Sequence, residues 1–302
     1  MNIWYLLLSA IVTTLLGFII GVTYMGIRRK IVALAQNRYG PPIYQNFFDI
    51  LKFWSKESNI YHGLMHHLAP LWMIAMAITI LLIVPTQYGS KFFENLSFNG
   101  DLILILYLMP FGQLGMALGV GQTGNPNSAI GVTRGLSLLV GSEIPFIMAL
   151  IAVMIQYHTT SVTDLVRIQQ ETGRWIMFTS PFAFLAALCV LPAMFHTGPY
   201  EVIIAPAELA SGPMSEFGGK YLGTMMSAGS IFMFAKLTLF VDVFMGGASN
   251  WLWLIVKTFT VYLFVIAVGI IMPRLRTEQA IRRLWGWPLV FAILAFIQVA
   301  LS

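Results

Sequence analysis

Three carboxylates lie close together in the central loop, residues 196–221, which reads HTGPYEVIIAPAELASGPMSEFGGKY. Glu201, Glu208 and Glu216 are interleaved there with apolar residues, while prolines and glycines prevent a continuous helix. A loop that is both acidic and apolar tends to fold back against protein, where ionisable groups are functional candidates. We therefore take these three residues as candidates for a proton or ion path. A solvated loop with scattered carboxylates is the alternative.

Four more ionisable residues fall inside long apolar runs. Glu143 lies near the start of one run and Lys236 nearer the middle of another. A charge at the centre of a bilayer costs roughly 2.5–3.5 kcal/mol to insert, so it is seldom left without a partner. We predict that Glu143 and Lys236 are stations of a proton or ion path, with structural polar contacts as the alternative. Asp242 and Lys257 lie in the outer thirds of two consecutive antiparallel runs and are predicted to form a structural ion pair.

The sequence offers little for metal or redox chemistry. His62 and His66 have the four-residue spacing of metal ligands on a helix, but no third ligand is near them in the sequence. The single cysteine, Cys189, cannot supply the thiolates of an iron–sulfur cluster or of a dinuclear metal site. We expect no catalytic residue, no metal and no cofactor on this chain, so that any redox metal lies on another chain.

The composition is that of an integral membrane protein. Of 302 residues, 58% are hydrophobic and 10% are charged, whereas about a quarter are charged in a soluble domain. The net charge of +5 does not indicate a nucleic-acid partner, because the basic residues are not gathered on one soluble domain. With no internal repeat, the chain is predicted to be one all-α, multi-pass membrane domain over residues 1–302.

Eight apolar runs are long enough to be membrane spans, since crossing the hydrocarbon takes about 20 residues. They cover residues 4–27, 68–88, 101–120, 136–157, 175–195, 222–246, 250–272 and 284–301. The loops 28–67, 121–135, 196–221 and 273–283 hold 12 of the 17 lysines and arginines. Only Lys91, Arg167 and Arg174 fall on the opposite side. The positive-inside rule then places these four loops in the cytoplasm and both termini outside.

The first inner loop contains an amphipathic segment at residues 43–57. Its apolar residues share one face of a predicted helix, and they are Ile43, Phe47, Ile50, Leu51 and Trp54. We expect a helix that lies in the membrane interface or forms a platform beneath a partner. A plain amphipathic surface helix explains the same periodicity.

Several short motifs occur in a fixed order along nearly the whole chain. They are Arg29-Lys30, Ala33, Gln36, Arg38 and Gly40-Pro41; Tyr44-Gln45 and Asp49-Ile50-Leu51-Lys52; Thr123-Gly124-Asn125-Pro126, Ala129-Ile130-Gly131, Arg134 and Glu143; Glu201, Glu208, Gly212-Pro213, Glu216 and Gly219; and Pro273-Arg274-Leu275-Arg276. This set resembles the membrane subunit that forms the floor of the quinone site in respiratory complex I. It also resembles the counterpart of that subunit in membrane-bound [NiFe] hydrogenases of the formate hydrogenlyase and energy-converting types. The second and third groups of motifs look like the hydrogenase branch.

The chain departs from the complex I pattern at a few positions. Arg28 stands where complex I usually has a glutamate, and Ile204 and Pro206 stand where relatives often have acids. Glu201 replaces a usual aspartate. These differences argue against a typical quinone-reactive subunit.

The resemblance implies a membrane anchor and ion-coupling subunit that is not itself catalytic. Its expected partners are an iron–sulfur small subunit, a large subunit with a [NiFe] centre and antiporter-like membrane subunits, in a prokaryotic inner membrane. The residues expected to face these partners are all basic, and they are Arg28, Arg29, Lys30, Arg38, Arg134, Arg274 and Arg276. One alternative is the quinone-cavity subunit of a complex I-type dehydrogenase. A free-standing ion transporter is a further alternative, but it would be expected to show inverted repeats.

Overall fold

The chain folds into helices joined by short connections. The computed structural model describes residues 3–58, 62–90, 92–93, 96–204 and 206–301, and within these ranges it contains no β-strand. The helices are α1 Ile3–Ala35, α2 Gln45–Trp54, α3 Leu64–Ile83, α4 Asp101–Leu108, α5 Phe111–Val120, α6 Pro126–Tyr157, α7 Val162–Thr172, α8 Ile176–Thr179, α9 Pro181–Met194, α10 Pro206–Leu209, α11 Gly219–Phe244, α12 Trp251–Ile271, α13 Thr277–Leu284 and α14 Trp287–Leu301. A 3₁₀ helix, Gly212–Glu216, lies between α10 and α11.

Seven stretches of helix are long and apolar enough to cross a bilayer: α1, α3, α4 with α5, α6, α11, α12, and α13 with α14. The run at 175–195 is instead divided at Ser180, whose φ of −127° and ψ of 65° are not helical. Pro181 accounts for the break, because proline disfavours the helical conformation of the residue before it. The remaining helix, α9, has 14 residues. The prediction of eight full-length spans is therefore not confirmed.

Two helices extend well beyond their predicted apolar runs. Helix α1 continues to Ala35, so that Arg28, Arg29 and Lys30 lie on a helix rather than in a loop. Helix α6 begins ten residues before the predicted start, where Asn125 accepts a hydrogen bond from the N–H of Asn127 at 3.0 Å. Apolar length marks only the part of a helix that is inside the hydrocarbon, so polar extensions into the headgroup region escape it.

Helix α11 lies at the centre of the bundle and contacts α1, α2, α3, α7 and α12. Its second half, from Met233 to Phe244, is buried at every position. Helix α1 crosses it at very short range, because a Cβ atom on Gly21 would lie 2.2 Å from the carbonyl oxygen of Ser230. Small residues permit this kind of close backbone approach between membrane helices. On the other side of the bundle, α6 packs against α9, α13 and α14.

The predicted amphipathic helix exists as α2 and packs against α1 and α11. The rings of Phe47 and Trp54 contact that of Phe18 on α1, with centroid distances of 6.2 and 6.4 Å. Ile50 is the one fully buried member of the predicted apolar face, and Leu51 is 57% exposed. The location of α2 in the membrane interface stays a prediction.

Candidate functional site

The central loop is tied to the rest of the molecule through Glu208. Its Oε2 accepts a hydrogen bond from Arg134 Nη1 at 2.7 Å and lies 3.2 Å from Arg274 Nη2. The hydrogen bond from Arg134 and the charge of Arg274 lower the pKa of the Glu208 carboxyl below its usual value. This exposed acid thus joins α10, the first half of α6 and the segment before α13. Three of the sequence-predicted site residues therefore meet at one point.

Glu216 occupies the start of α6. Its Oε1 accepts hydrogen bonds from Asn125 Nδ2 at 2.5 Å and from Ser128 Oγ at 3.1 Å. The side chain is 11% exposed, and His62 Nε2 lies 3.9 Å from the other carboxylate oxygen. The positive end of a helix dipole and its free N–H groups favour an anion at this position. The structure thus fixes Glu216 at the inner end of the helix that carries Glu143.

The histidines near the start of α3 form a small aromatic cluster. The ring of His66 stacks on Phe217, with centroids 4.5 Å apart and planes 1° from parallel. His67 Nδ1 is in hydrogen-bond contact with the hydroxyl of Tyr221. Over the described part of the chain, no group of three or more His, Cys, Asp or Glu side chains is arranged to hold a metal ion. Stacking against the central loop is the contact that the structure gives to His66.

Lys236 and Glu143 lie deep in the bundle on adjacent helices. Lys236 is 9% exposed, and its Nζ donates a hydrogen bond to the carbonyl oxygen of Met194 at 3.1 Å. The same nitrogen lies 4.3 Å above the ring of Phe232. Met194 ends α9, so the negative end of that helix compensates the ammonium charge. Glu143 lies near the middle of α6, not near its start, and interacts electrostatically with Lys236.

His196 belongs to this buried cluster, although sequence reasoning assigned it no role. It follows α9 directly, and its Nε2 is in hydrogen-bond contact with the side-chain amide of Gln113 on α5. It also interacts electrostatically with Lys236. The only signal in the sequence was a histidine immediately after an apolar run, at a place where glycine often ends a helix.

Lys257 has a different partner from the one predicted. Its Nζ donates to the carbonyl oxygens of Met245 at 2.7 Å and Gly247 at 2.6 Å, and it lies 4.8 Å from the ring of Trp175. Asp242 is buried within electrostatic range of Lys257. Its Oδ2 has no hydrogen-bond partner in the part of the chain that the structure describes. Lys257 thus caps the end of α11, and a direct ion pair with Asp242 stays a prediction.

Some of the predicted partner-facing residues also hold the chain's own first inner segment. Arg29 Nη1 lies 2.5 Å from Asn46 Oδ1 and 3.2 Å from Asp49 Oδ2, which fixes α2 to α1. Lys30 Nζ donates to the carbonyl oxygen of Gly40 at 3.1 Å. These contacts leave a partner interface on this face as a prediction, with fewer free cations than the sequence suggested.

The remaining predicted residues have fewer contacts. Arg28 is partly buried, while Arg38 and Arg276 are exposed. The backbone N–H of Arg276 donates to Gln279 Oε1 at 3.2 Å at the start of α13. Glu201 is partly buried and has no ion pair with any described residue. Lys91, which entered the charge comparison, lies outside the described residues.

The fold and the site define a multi-pass helical membrane subunit in which acids and bases are placed from one end of the bundle into its interior. The chain belongs to the NADH dehydrogenase family, whose family model matches residues 7–300. The predicted kinship with the membrane subunit of complex I is thereby confirmed. The finer assignment to the hydrogenase branch stays a prediction.

Relatives with known names support the family over nearly the full length. The chain is 25% identical over 300 residues to a membrane subunit of the NADH-quinone oxidoreductase of Bacillus cytotoxicus, covering 92% of this chain and 88% of that protein. It is 25% identical over 284 residues to the same subunit of a Geobacillus species, covering 88% and 83%. A chain in the structure of the membrane-bound sulfane sulfur reductase, an archaeal respiratory membrane complex, is 34% identical with a TM-score of 0.88, covering 97% of this chain and 99% of that one.

Proposed function

We propose that the chain is the membrane anchor and ion-coupling subunit of a membrane-bound [NiFe] hydrogenase. Electrons would pass through iron–sulfur clusters on a small peripheral subunit to a [NiFe] centre on a large one, above the inner face of this chain. Antiporter-like subunits beside it would move protons or sodium ions across a prokaryotic cell membrane. The inner loops would face the cytoplasm and both termini the outside.

The observation that carries the coupling role is the distribution of acids along α6. Glu216 sits at its inner end, Glu208 is held by Arg134 one turn or more further on, and Glu143 lies near its middle beside Lys236. Carboxylates in a low-dielectric interior change their protonation when a neighbouring charge changes. A redox event at the inner face could therefore alter the protonation of Glu143 through this series of groups.

The choice of branch rests on similarity and on the first inner segment. The sulfane sulfur reductase chain is 34% identical to this one, against 25% for the quinone oxidoreductase subunits. Arg28 also replaces an acid expected in a quinone-site subunit. The lone Cys189 leaves the iron–sulfur clusters to other subunits. The quinone-cavity subunit of a complex I-type dehydrogenase remains the second candidate, because the bacterial relatives are named as parts of a quinone oxidoreductase.

Purification of the tagged full chain in mild detergent tests the proposal. We expect an iron–sulfur subunit and a nickel-containing large subunit to co-purify, with hydrogen turnover measured using a soluble electron carrier. A nickel-free complex that reduces a quinone would establish the second candidate instead. An active, monodisperse single chain that transports ions alone would contradict both.

A further inference from the structure

Helix α9 ends in a turn that holds a histidine in an unfavourable backbone conformation. The N–H of His196 donates to the carbonyl oxygen of Ala193 at 3.0 Å, and that of Thr197 donates to Pro192 at 3.1 Å. These are the two hydrogen bonds of a Schellman ending. His196 occupies the left-handed position of the motif, with a φ of 49°. Glycine is usual there, because a side chain in this conformation costs roughly 1–2 kcal/mol.

The side chain of His196 offers a reason for its presence. Its Nε2 is in hydrogen-bond contact with the amide of Gln113, which orients the ring. Its Nδ1 is buried and has no hydrogen-bond partner among the described residues. A neutral imidazole has one donor and one acceptor nitrogen, so Nδ1 keeps either a free lone pair or a free proton. This nitrogen is the atom at which the ring can exchange a proton.

The same turn also binds the buried lysine. Met194, two residues before His196, accepts the hydrogen bond from Lys236 Nζ at 3.1 Å. Lys236 interacts electrostatically with His196 on one side and with Glu143 on the other. His196 is therefore both the first residue of the central loop and a neighbour of the two ionisable residues deep in the bundle.

We propose that His196 carries protons between the central loop and Glu143, a role that rests on the ion-coupling function proposed above. The neutral ring takes up one proton at Nδ1 from water on the side of the central loop. It returns to neutral by giving that proton, through water, to the ionised carboxylate of Glu143. One N–H bond forms and breaks, no electron moves, and Lys236 keeps its own proton. The charge of Lys236 stabilises the ionised carboxylate and repels an imidazolium, which favours onward transfer.

The chain contains a matched control at the end of α6. His158 also occupies a left-handed position, with a φ of 50°, after a helix ending in which its N–H bonds to Ile155 and that of Thr159 bonds to Met154. Its side chain is exposed and lies at an apolar groove between α4 and α6, away from the described acids and bases. Substitutions at His158 therefore reproduce the backbone effect of those at His196 without touching the buried cluster.

The test uses the complex that purifies with this chain, reconstituted into sealed vesicles. His196→Asn keeps a polar side chain that tolerates the left-handed conformation, and His196→Gly removes the side chain and relieves the backbone. Ion uptake into the vesicles is measured per electron transferred. We expect both variants to assemble and to keep electron transfer to a soluble carrier, while the ion-to-electron ratio falls by more than half. Imidazole added to the H196G complex should restore part of the ratio, which a purely structural residue would not allow.

The outcomes separate this proposal from the function on which it rests. A wild-type complex without coupled ion uptake would remove the ion-coupling function, and the role of His196 with it. A coupled wild type with an unchanged ratio in H196N and H196G would overturn the role of His196 alone. The same conclusion follows if both variants fail to assemble while H158N and H158G assemble normally, because His196 would then be structural.

Discussion

Glu208 Oε2 lies 2.7 Å from Arg134 Nη1, although the two residues are 74 positions apart in the sequence. This contact fastens the short helix α10 of the central loop to the long helix α6. Arg274 reaches the same oxygen from the segment before α13, so one carboxylate joins three parts of the inner face. A movement of the loop must therefore break or carry along a charged contact with the helix that holds Glu143.

Glu208→Gln should loosen the central loop at neutral pH. The neutral amide weakens the attraction to Arg134 and Arg274, so backbone amides in this loop should exchange hydrogen for deuterium faster. Glu278→Gln is the control, because Glu278 is exposed on the neighbouring helix α13 and has no ion pair within the described residues. Equal exchange in all three proteins would show that the contact does not restrain the loop.

The stability that Glu208 contributes should disappear in acid. Its pKa is lowered in the folded protein, so the contribution is complete above the unfolded value of about 4.3 and is lost as the pH falls through the folded value. The difference in melting temperature between the wild type and E208Q should shrink over that range. A difference that stays constant down to the lowest pH tested would mean that the ionised form of Glu208 is not the source.

Glu143→Gln should separate coupling from electron transfer. The substitution keeps the shape of the side chain and removes its titration, so the ion-to-hydrogen ratio of the reconstituted complex should fall while hydrogen turnover with a soluble carrier persists. E208Q and E216Q should act in the same direction. Because the three residues are proposed to serve one path, double substitutions should be non-additive. An unchanged ratio in all three variants would leave the chain as an anchor alone.

Much of the fold could be predicted from apolar length, because burial in hydrocarbon dictates where helices cross. The ends of helices could not be predicted in this way. Polar residues such as Arg29 and Arg134 continue α1 and α6 beyond the hydrocarbon and look like loop residues in the sequence. The division of one predicted span at Ser180 depended on a single following proline.

The candidate site was only partly predictable. Glu208, Glu216, Glu143 and Lys236 stood out because charges are rare in this chain, but their partners come from distant segments that only the tertiary structure brings together. Lys257 illustrates the limit. A nearby acid suggested an ion pair, whereas free carbonyl groups at the end of α11 satisfy the ammonium group.

The orientation of the chain is a further prediction. The excess of lysine and arginine in four loops should keep these loops in the cytoplasm. Reporter fusions at Lys52 and Arg276 should report the cytoplasm, and a fusion at Arg167 should report the opposite side. Detection of the Arg167 fusion in the cytoplasm would contradict the predicted topology, and it would bear on whether the shortened helix α9 crosses the membrane.

The crossing of α1 and α11 should depend on Gly21. A Cβ atom there would lie 2.2 Å from the carbonyl oxygen of Ser230, which belongs to a helix backbone and cannot rotate away. Gly21→Ala should therefore force the helices apart and cost about 1–3 kcal/mol, as overpacking of a close-packed interior does. Gly229→Ala on α11 is the matched control, because its Cβ would meet only the flexible end of Met25 at 3.8 Å. Thermal unfolding in detergent should show a clear loss of stability for G21A and little change for G229A. Equal melting temperatures for the two variants would mean that the helices can separate at this crossing without cost.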